Sequence, residues 1–348
     1  MNDLKQRSKN SMIGLAIGDS LSWTSMFHRS FLLPQWTRRI RREIDASSET
    51  TNILLTPIPF SLNQPAKFFN ISPTDKTEWA AFSAEILLKN DFDSYNQSVL
   101  EEWVKLSNSK DPVRGGVSTQ AALQNLRNGI QPPQSGKQNP HYFDDGAMSR
   151  SVPIGIIYSG HPDKAAKLAY IDAVVTNSED GVWAAQAMAV AISLACFGAS
   201  IDEAINEAYK YLPETSWIRR TVDEAMSIVK NSDSIFSILP EIQNKIVNRE
   251  YSYGNVAPET LALTLIIAKL HGNDFEKAIT SAACFAKSGE TLPAMVGALV
   301  GAMQSKLFAG DSWLGAIETL KGISVPGSEG KNYLKLVEEI SNLAGQKI

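Results

Sequence analysis

The sequence predicts an all-α protein, and three observations support this prediction. Apolar residues recur every three or four positions through most of the 348-residue chain, which is the spacing of one helix face. Capping residues and glycines bracket many of these stretches, as Ser200 and Gly272 do. Alternating strand patterns are nearly absent, and the one exception, residues 52–60, carries two prolines that favour an extended loop.

The helices follow from these signals in chain order. Ser118 and Gly129 are placed to start and end one helix, and Pro162 and Pro258 each suit the first turn of another. Residues 181–197 are nearly all apolar and rich in alanine, which is typical of a central buried helix. The predicted helices cover residues 79–88, 119–128, 163–175, 181–197, 201–212, 259–271, 275–286, 294–307, 313–320 and 333–343.

Composition excludes several classes of protein. Apolar residues make up 43% of the chain and charged residues 20%, as in ordinary globular proteins. The net charge of -4 gives no electrostatic reason to expect nucleic acid or a membrane as partner. Both cysteines, Cys196 and Cys284, lie in apolar helical stretches without metal-ligand spacing, which predicts buried thiols in a reducing compartment. No signal peptide is evident, so the cytoplasm is the expected location.

Two short polar segments stand out because each lies where a helix should begin. They are residues 72–78 (SPTDKTE) and 287–293 (KSGETLP), and both mix carboxylates with hydroxyls. Such oxygens suit a hard cation or a sugar. Two loop-rich regions, 24–75 and 130–148, adjoin this chemistry, and long loops in a compact helical domain are usually functional. We therefore expect one shared cleft within a single domain over residues 1–348.

Familiar catalytic motifs are missing from the sequence. It has no Walker loop, no His-Glu-x-x-His, no Gly-x-Ser-x-Gly and no dinucleotide fingerprint after a strand. The four histidines are scattered, which disfavours a histidine-based triad. Carboxylates remain as the candidate acid, base or ligand groups.

Four segments in order resemble the ADP-ribosylglycohydrolase family over residues 10 to 325. Residues 14–21 (GLAIGDSL) look like its first signature, and 74–77 (TDKT) like its Thr-Asp-Asp-Thr metal segment. Residues 145–153 (DGAMSRSVP) are similar to its Asn-Gly-x-x-x-Arg-x-x-Pro segment. Residues 288–291 (SGET), followed by 297–301 (GALVG), correspond to its Asp-Thr-Asp-Thr segment and the helix behind it.

The resemblance implies a single orthogonal bundle of helices with two magnesium ions at the bottom of a cleft. It also implies hydrolysis of an N- or O-glycosidic bond at the anomeric carbon of a ribose. In the family, the six matched ligand positions carry four aspartates and two threonines. Here the six positions carry Thr74, Asp75, Lys76, Ser288, Glu290 and Thr291.

These departures change the charge that the site offers to metal ions. Asp75 and Glu290 supply two negative charges, Lys76 adds a positive one, and Ser288 adds none. An ammonium cannot be a ligand for Mg²⁺, which requires oxygen ligands, and it repels a neighbouring cation. Our hypothesis is that Lys76 replaces one metal, so that at most one Mg²⁺ binds, with Thr74, Asp75, Ser288, Glu290 and Thr291 as candidate ligands. Replacing Lys76 by Asp should then raise the affinity for magnesium.

The resemblance also suggests roles around the cleft. Asp75 or Glu290, with Glu78 in reserve, would act as the catalytic carboxylate. Asn177 stands where the family often has a histidine, and Tyr142, Phe143 and Trp183 are candidates for stacking on a base. The candidate substrate-binding residues are Asp19, Lys76, Tyr142, Phe143, Asp144, Asp145, Gly146, Ala147, Arg150 and Asn177.

Structural roles compete with these assignments. Asp75 with Glu78 would form a capping box, and Thr291 and Asp19 would each serve as a helix cap. Asp144-Asp145-Gly146 is also an ordinary turn sequence, and aromatic residues beside a buried helix are often core.

The leading hypothesis is a hydrolase that cleaves an N-glycosidic bond to ribose in an ADP-ribosyl or nucleoside-like small molecule. The alternative is a non-catalytic family member that binds ADP-ribose or a nucleotide, because two of the four acidic ligands are lost. The sequence leaves the leaving group and the oligomeric state open.

Overall fold

A computed structural model of the chain describes residues 2–27, 49–50, 72–230, 232–248, 251, 254–285 and 287–346. Most of the predicted loop region 24–75, including the extended stretch 52–60, lies outside the described residues. The helices of the described part are α1 (Asn2–Phe27), α2 (Asp75–Lys89), α3 (Tyr95–Ser107), α4 (Val117–Arg127), α5 (Gln134–Lys137), α6 (Met148–Ile157), α7 (Pro162–Ala173), α8 (Asp180–Phe197), α9 (Ile201–Tyr209), α10 (Trp217–Val229), α11 (Ile235–Lys245), α12 (Ala257–His271), α13 (Phe275–Ala283), α14 (Leu292–Met303), α15 (Asp311–Ile317) and α16 (Tyr333–Leu343).

The prediction of an all-α protein is confirmed. Within the described ranges the only β-type pairings are two isolated bridges, Asp144 with Val256 and Thr319 with Asn332. The second loop-rich region, 130–148, contains the short α5 and is otherwise irregular. Functional side chains in the described part are therefore positioned by the packing of helices and by these two local bridges.

Several helix boundaries follow from local chemistry. Ser200 starts α9 through a capping box with Glu203, in which each side chain bonds to the other residue's backbone N–H. The predicted bounds of α16 match the structure. The cap predicted for Ser118 is wrong, because α4 starts one residue before it, at Val117, with Gly116 as its N-cap.

Six helices of the described part were not expected from the sequence: α1, α3, α5, α6, α10 and α11. Two glycines lie in α1 and Pro153 lies inside α6, so their local propensity for helix is weak and packing decides their structure. The start of α10 carried a readable signal, because the Ser216 side chain accepts a hydrogen bond from the N–H of Arg219.

Two helices that carry site segments, α1 and α14, cross at backbone contact. A Cβ atom added to Gly14 would lie 2.0 Å from the carbonyl oxygen of Gly297, and one added to Gly18 would lie 2.0 Å from that of Pro293. Only glycine fits at such a crossing. The two glycine-containing motifs therefore join one another, and they bring Asp19 near the start of α14.

One contiguous core of buried apolar side chains runs from Met12 in α1 to Ala344 after α16. By length and composition α8 is apolar enough to cross a membrane, but most of it is buried inside the protein, as expected for the predicted central helix. Cys196 is buried as predicted, whereas Cys284 is only half-buried. A single domain over residues 1–348 stays a prediction.

Candidate active site

The start of α2 is held by a carboxylate from another helix. Asp19 of α1 accepts hydrogen bonds from the backbone N–H groups of Thr74, at 2.7 Å, and Thr77, at 3.0 Å. It also accepts hydrogen bonds from both threonine hydroxyls, each at 2.6 Å. Thr74 is the N-cap and makes no capping bond with its own side chain. The capping box considered for Asp75 and Glu78 is thus not formed, and Asp19 satisfies the free amides instead.

Lys76 lies inside the protein at this helix start. Its Nζ donates a hydrogen bond to Asp75 Oδ2 at 2.7 Å, and the two side chains are only 12% and 6% exposed. Burial alone would lower the pKa of Lys76, but attraction to Asp75, Asp145 and Asp19 is stronger and raises it above the usual value. The ammonium therefore keeps its charge and lies among three carboxylates.

Asp145 joins this group from the loop before α6. It is buried, and its Oδ2 accepts a hydrogen bond from Thr260 Oγ1 at 2.7 Å. Burial raises the pKa of Asp145 to about 6, although Lys76 and hydrogen bonds from Thr260 and Thr291 oppose the rise. Burial and the nearby charge of Asp75 raise the pKa of Asp19 to about 6 as well. We define Asp19, Asp75, Lys76 and Asp145 as the acidic cluster.

The second polar segment, at the start of α14, has a different chemistry. Thr291 is buried, and its Oγ1 accepts a hydrogen bond from Asn255 Nδ2 at 3.0 Å. Ser288 is also buried and donates its hydroxyl hydrogen to Glu259 Oε1. Glu290 is half-buried in the same turn. Thr291 thus connects this segment to Asp145, while Ser288 faces another carboxylate.

Sequence reasoning missed Asn255, Glu259 and Thr260. All three lie around the start of α12, where Pro258 correctly predicted the first helical turn. Glu259 after this proline looks like an ordinary acidic residue of a first turn. In the structure its carboxylate is fully buried and accepts hydrogen bonds from Ser288 and from the N–H of Asn248.

The loop that carries Asp145 is fixed by backbone contacts. Asp144 forms its bridge with Val256, and the N–H of Ala257 donates to the carbonyl of Phe143 at 3.0 Å. Gly146 donates its N–H to Asp144 Oδ1 at 3.0 Å, which closes the predicted turn. These bonds tie the loop to the start of α12 and set the position of Asp145.

A half-buried aromatic cluster lies beside this loop and consists of Phe143, Tyr142, Trp217 and Tyr251. The ring centroid of Phe143 lies 5.2 Å from those of Tyr142 and Tyr251 and 5.9 Å from that of Trp217. Trp183, the third predicted stacking residue, packs against the hydrophobic core instead. Aromatic surface thus lies on the loop that carries Asp145 of the acidic cluster, and stacking of Tyr142 and Phe143 on a base stays a prediction.

A family model for ADP-ribosylglycohydrolases matches residues 1–339. The chain belongs to this family. A chain from a solved ADP-ribosylglycohydrolase-related protein complex is similar over 99% of both chains, with 19% identity and a TM-score of 0.59. At that identity the likeness concerns the fold. No curated protein matches the sequence.

For this ADP-ribosylglycohydrolase family member, the structure gives Arg150 and Ala147 a supporting role in place of the predicted substrate contact. Arg150 is 1% exposed and pairs through Nε with Asp172 Oδ1 at 2.5 Å, while its Nη2 donates to Thr176 Oγ1 at 2.8 Å. Ala147 is buried in a small apolar cluster. Among the described contacts, neither side chain touches a residue of the acidic cluster.

Asn177 also departs from its predicted role. It is fully buried, and its Nδ2 donates to the carbonyls of Tyr142, at 3.1 Å, and Asp144, at 3.0 Å. It donates further to Asp144 Oδ1 at 2.8 Å, while its Oδ1 accepts from the hydroxyl of Thr176. An amide with these partners holds the loop that carries Asp145, which is a structural role.

Glu78, the reserve catalytic residue, is committed to a loop. Its two carboxylate oxygens accept hydrogen bonds from the N–H groups of Ile323, Ser324 and Val325, at 2.7 to 3.0 Å. Burial raises the pKa of Glu78, and these bonds oppose the rise. The residue anchors the segment before α16 to α2, which is a structural role.

The binuclear magnesium centre of the family does not fit the residues present. Of the six matched positions, Lys76 brings an ammonium paired with Asp75, and the hydroxyl hydrogens of Thr74 and Ser288 go to Asp19 and Glu259. In the part of the chain that the structure describes, no three His, Cys, Asp or Glu side chains are grouped to hold a metal ion. The carboxylates of Asp19, Asp75 and Asp145 surround the Lys76 ammonium instead.

Proposed function

We propose that this chain is a glycohydrolase that cleaves the N-glycosidic bond between a ribose and its leaving group. The substrate would be an ADP-ribosyl or nucleoside-like small molecule, with no nucleic acid or membrane as partner. Family membership supports the reaction class. The structural observation that supports this reaction is the buried acidic cluster, in which the Lys76 ammonium lies among carboxylates from three different segments.

The roles follow from the charge of each group. Asp75, oriented by its hydrogen bond to Lys76, would accept a proton from water as the water oxygen attacks the anomeric carbon. The C–N bond breaks as the C–O bond forms, its electron pair leaves with the nitrogen, and a proton from solvent neutralises that leaving group. Carboxylates around the ribose, Asp145 among them, would stabilise the positive charge that develops on the sugar ring.

Lys76 would hold the ribose hydroxyls in this mechanism. Its ammonium has three N–H donors, and its one described hydrogen bond uses a single donor, to Asp75. Two donors can therefore serve hydroxyl or phosphate oxygens of a ligand. With Lys76 in the site we keep the prediction that at most one Mg²⁺ is bound.

The aromatic cluster would bind the planar part of the substrate. Base–aromatic stacking contributes about 1–3 kcal/mol per base and tolerates different rings. This favours nucleoside-like leaving groups over a modified protein side chain. The cytoplasm remains the predicted location, since neither cysteine is paired.

A second function, binding without catalysis, is favoured by the Lys76–Asp75 ion pair itself. A carboxylate oxygen that already accepts a hydrogen bond from an ammonium has one position fewer at which to take a proton from water. In that case the chain would bind ADP-ribose or a nucleotide and release no product.

One experiment separates the two functions. The full chain is incubated with ADP-ribosyl-arginine and with a panel of nucleosides, with magnesium or with a chelator, and released ribose or ADP-ribose is measured by chromatography. We expect turnover that Asp75→Asn lowers by about 10²- to 10⁴-fold, the usual contribution of a positioned base. The matched control is Asp111→Asn, which changes an exposed aspartate and should leave the rate unchanged.

Calorimetry with ADP-ribose completes the comparison. Binding with no turnover of any substrate would support the second function. Turnover that survives Asp75→Asn intact would refute the assigned role of the acidic cluster.

A further inference from the structure

The start of α14 carries a second buried lysine–carboxylate pair. Lys287 Nζ lies 2.9 Å from Glu259 Oε2, and the side chains are 17% and 1% exposed. Lys287 directly precedes Ser288, the position at which this family's metal segment has an aspartate. A carboxylate is therefore lost at Ser288, and an ammonium lies next to it in the sequence.

The partners of Glu259 are all protein groups. Its Oε2 accepts from Lys287 and from the N–H of Asn248, at 2.9 Å each, and its Oε1 accepts from Ser288. Both carboxylate oxygens thus already accept hydrogen bonds, which come from an ammonium, a backbone N–H and a hydroxyl. A cation that approached Glu259 would have to displace them and would meet the charge of Lys287.

The start of α2 has the same design. Lys76 holds a position at which the family has an aspartate, and it pairs with the aspartate before it at 2.7 Å. The two helix starts are connected through α12, because Thr260, which follows Glu259, donates to Asp145 of the acidic cluster. Each of the two polar segments thus carries an ammonium paired with a carboxylate, Lys76 with Asp75 of the same segment and Lys287 with Glu259 of α12.

We propose that Lys76 and Lys287 together take the place of the two divalent cations, so that this site works without any bound metal ion. The proposal rests on the proposed function for the identity of the site. It goes beyond the sequence hypothesis, which assigned one ammonium and allowed one ion. Its test measures metal binding, so it gives a result whether or not the chain hydrolyses a substrate.

The test titrates the full chain with Mn²⁺ and follows the free ion by electron paramagnetic resonance. Wild type should show no saturable binding up to millimolar Mn²⁺. The double variant Lys76→Met/Lys287→Met leaves Asp75 and Glu259 without their cations, so it should bind Mn²⁺ saturably, with a Kd at least about tenfold below the highest concentration tested on wild type. The control Lys105→Met/Lys210→Met removes two exposed lysines from surface pairs and should bind like wild type.

Saturable binding of Mn²⁺ to the wild type would overturn the proposal, and so would a double variant that binds no better than the control. If circular dichroism shows that the double variant does not fold, the single variants Lys76→Gln and Lys287→Gln replace it. Each should then gain affinity for Mn²⁺, and a failure of both refutes the proposal. A wild type that binds no Mn²⁺ and also hydrolyses nothing would refute the proposed function alone.

Discussion

Two buried ion pairs near the site, Arg150 with Asp172 and Lys76 with Asp75, differ in how completely their donors are used. The Arg150 guanidinium bonds to Asp172, to Thr176 and to the carbonyl of Gly146, and it lies 5.0 Å from the centroid of a Trp103 ring. Lys76 makes one described hydrogen bond.

The two pairs also differ in the negative charge that surrounds them. Lys76 has three carboxylates around it, and two of them, Asp19 and Asp145, have a pKa of about 6. We call the Arg150–Asp172 pair saturated, because the guanidinium donates to several protein groups. Such a pair stabilises the fold. A pair with spare donors and excess negative charge costs stability and is typical of a binding site. The comparison therefore separates a pair that holds the fold from a pair whose remaining donors support the proposed contact with a ligand.

The largest expected effect comes from breaking the saturated pair. Arg150→Met should lower the free energy of unfolding by about 3–5 kcal/mol, because it leaves the Asp172 carboxylate buried without its cation. Chemical denaturation followed by circular dichroism measures this. The control Arg220→Met changes an exposed arginine that donates to the carbonyl of Thr215, and it should cost about 0.5–1 kcal/mol. Equal costs for the two variants would contradict the scaffold role of Arg150.

The second effect concerns pH and the acidic cluster. The pKa of Asp145 is raised from 3.8 to about 6, so the folded protein holds this proton at a pH where the unfolded chain has lost it. The stabilising contribution is therefore complete below pH 4 and is lost as the pH rises through about 6. A shift of about two pKa units corresponds to roughly 3 kcal/mol.

Denaturation at several pH values tests this expectation. The difference in unfolding free energy between wild type and Asp145→Asn should fall by about 3 kcal/mol between pH 4 and pH 7. Asp111→Asn, an exposed control, should show no such change. A flat difference for Asp145→Asn would mean that this carboxylate is not held in a low-polarity, charge-rich site.

Much of the fold could be predicted because its signals are local. The capping box of Ser200 and the bounds of α16 depend on residues within a few positions of each other. The helices that were missed, such as α1 and α6, contain glycine or an internal proline, and their stability comes from partners distant in the sequence.

The candidate site divides in a similar way. The motif order located Thr74, Lys76, Asp145 and Thr291, which the structure connects through hydrogen bonds or charge. The commitments of Glu78, Arg150 and Asn177 to other groups depend on distances between segments up to 247 residues apart, as for Glu78 and Val325. No sequence pattern reports such distances, so the motif resemblance assigned Arg150 and Asn177 to the substrate and Glu78 to catalysis.

The smallest expected effect comes from a comparison of two buried threonines in α12, Thr260 and Thr264. Thr260→Val removes the hydroxyl that donates to Asp145 Oδ2, at a cost of about 1 kcal/mol in unfolding free energy. Because that hydrogen bond holds the pKa of Asp145 down, its loss should raise this pKa further and move the pH-dependent loss of stability to higher pH.

Thr264, one turn later in α12, provides the matched control. It is equally buried, and its hydroxyl donates to the carbonyl of Thr260 at 2.7 Å, with no contact to the acidic cluster. Thr264→Val should cost a similar stability while leaving the pH profile in place. Since both variants remove one buried hydroxyl from the same helix, a shift confined to Thr260→Val can only arise from the charge of Asp145. An equal shift in both variants would mean that the pH dependence arises from the packing of α12. The acidic cluster would then have a structural role, as the Arg150–Asp172 pair has.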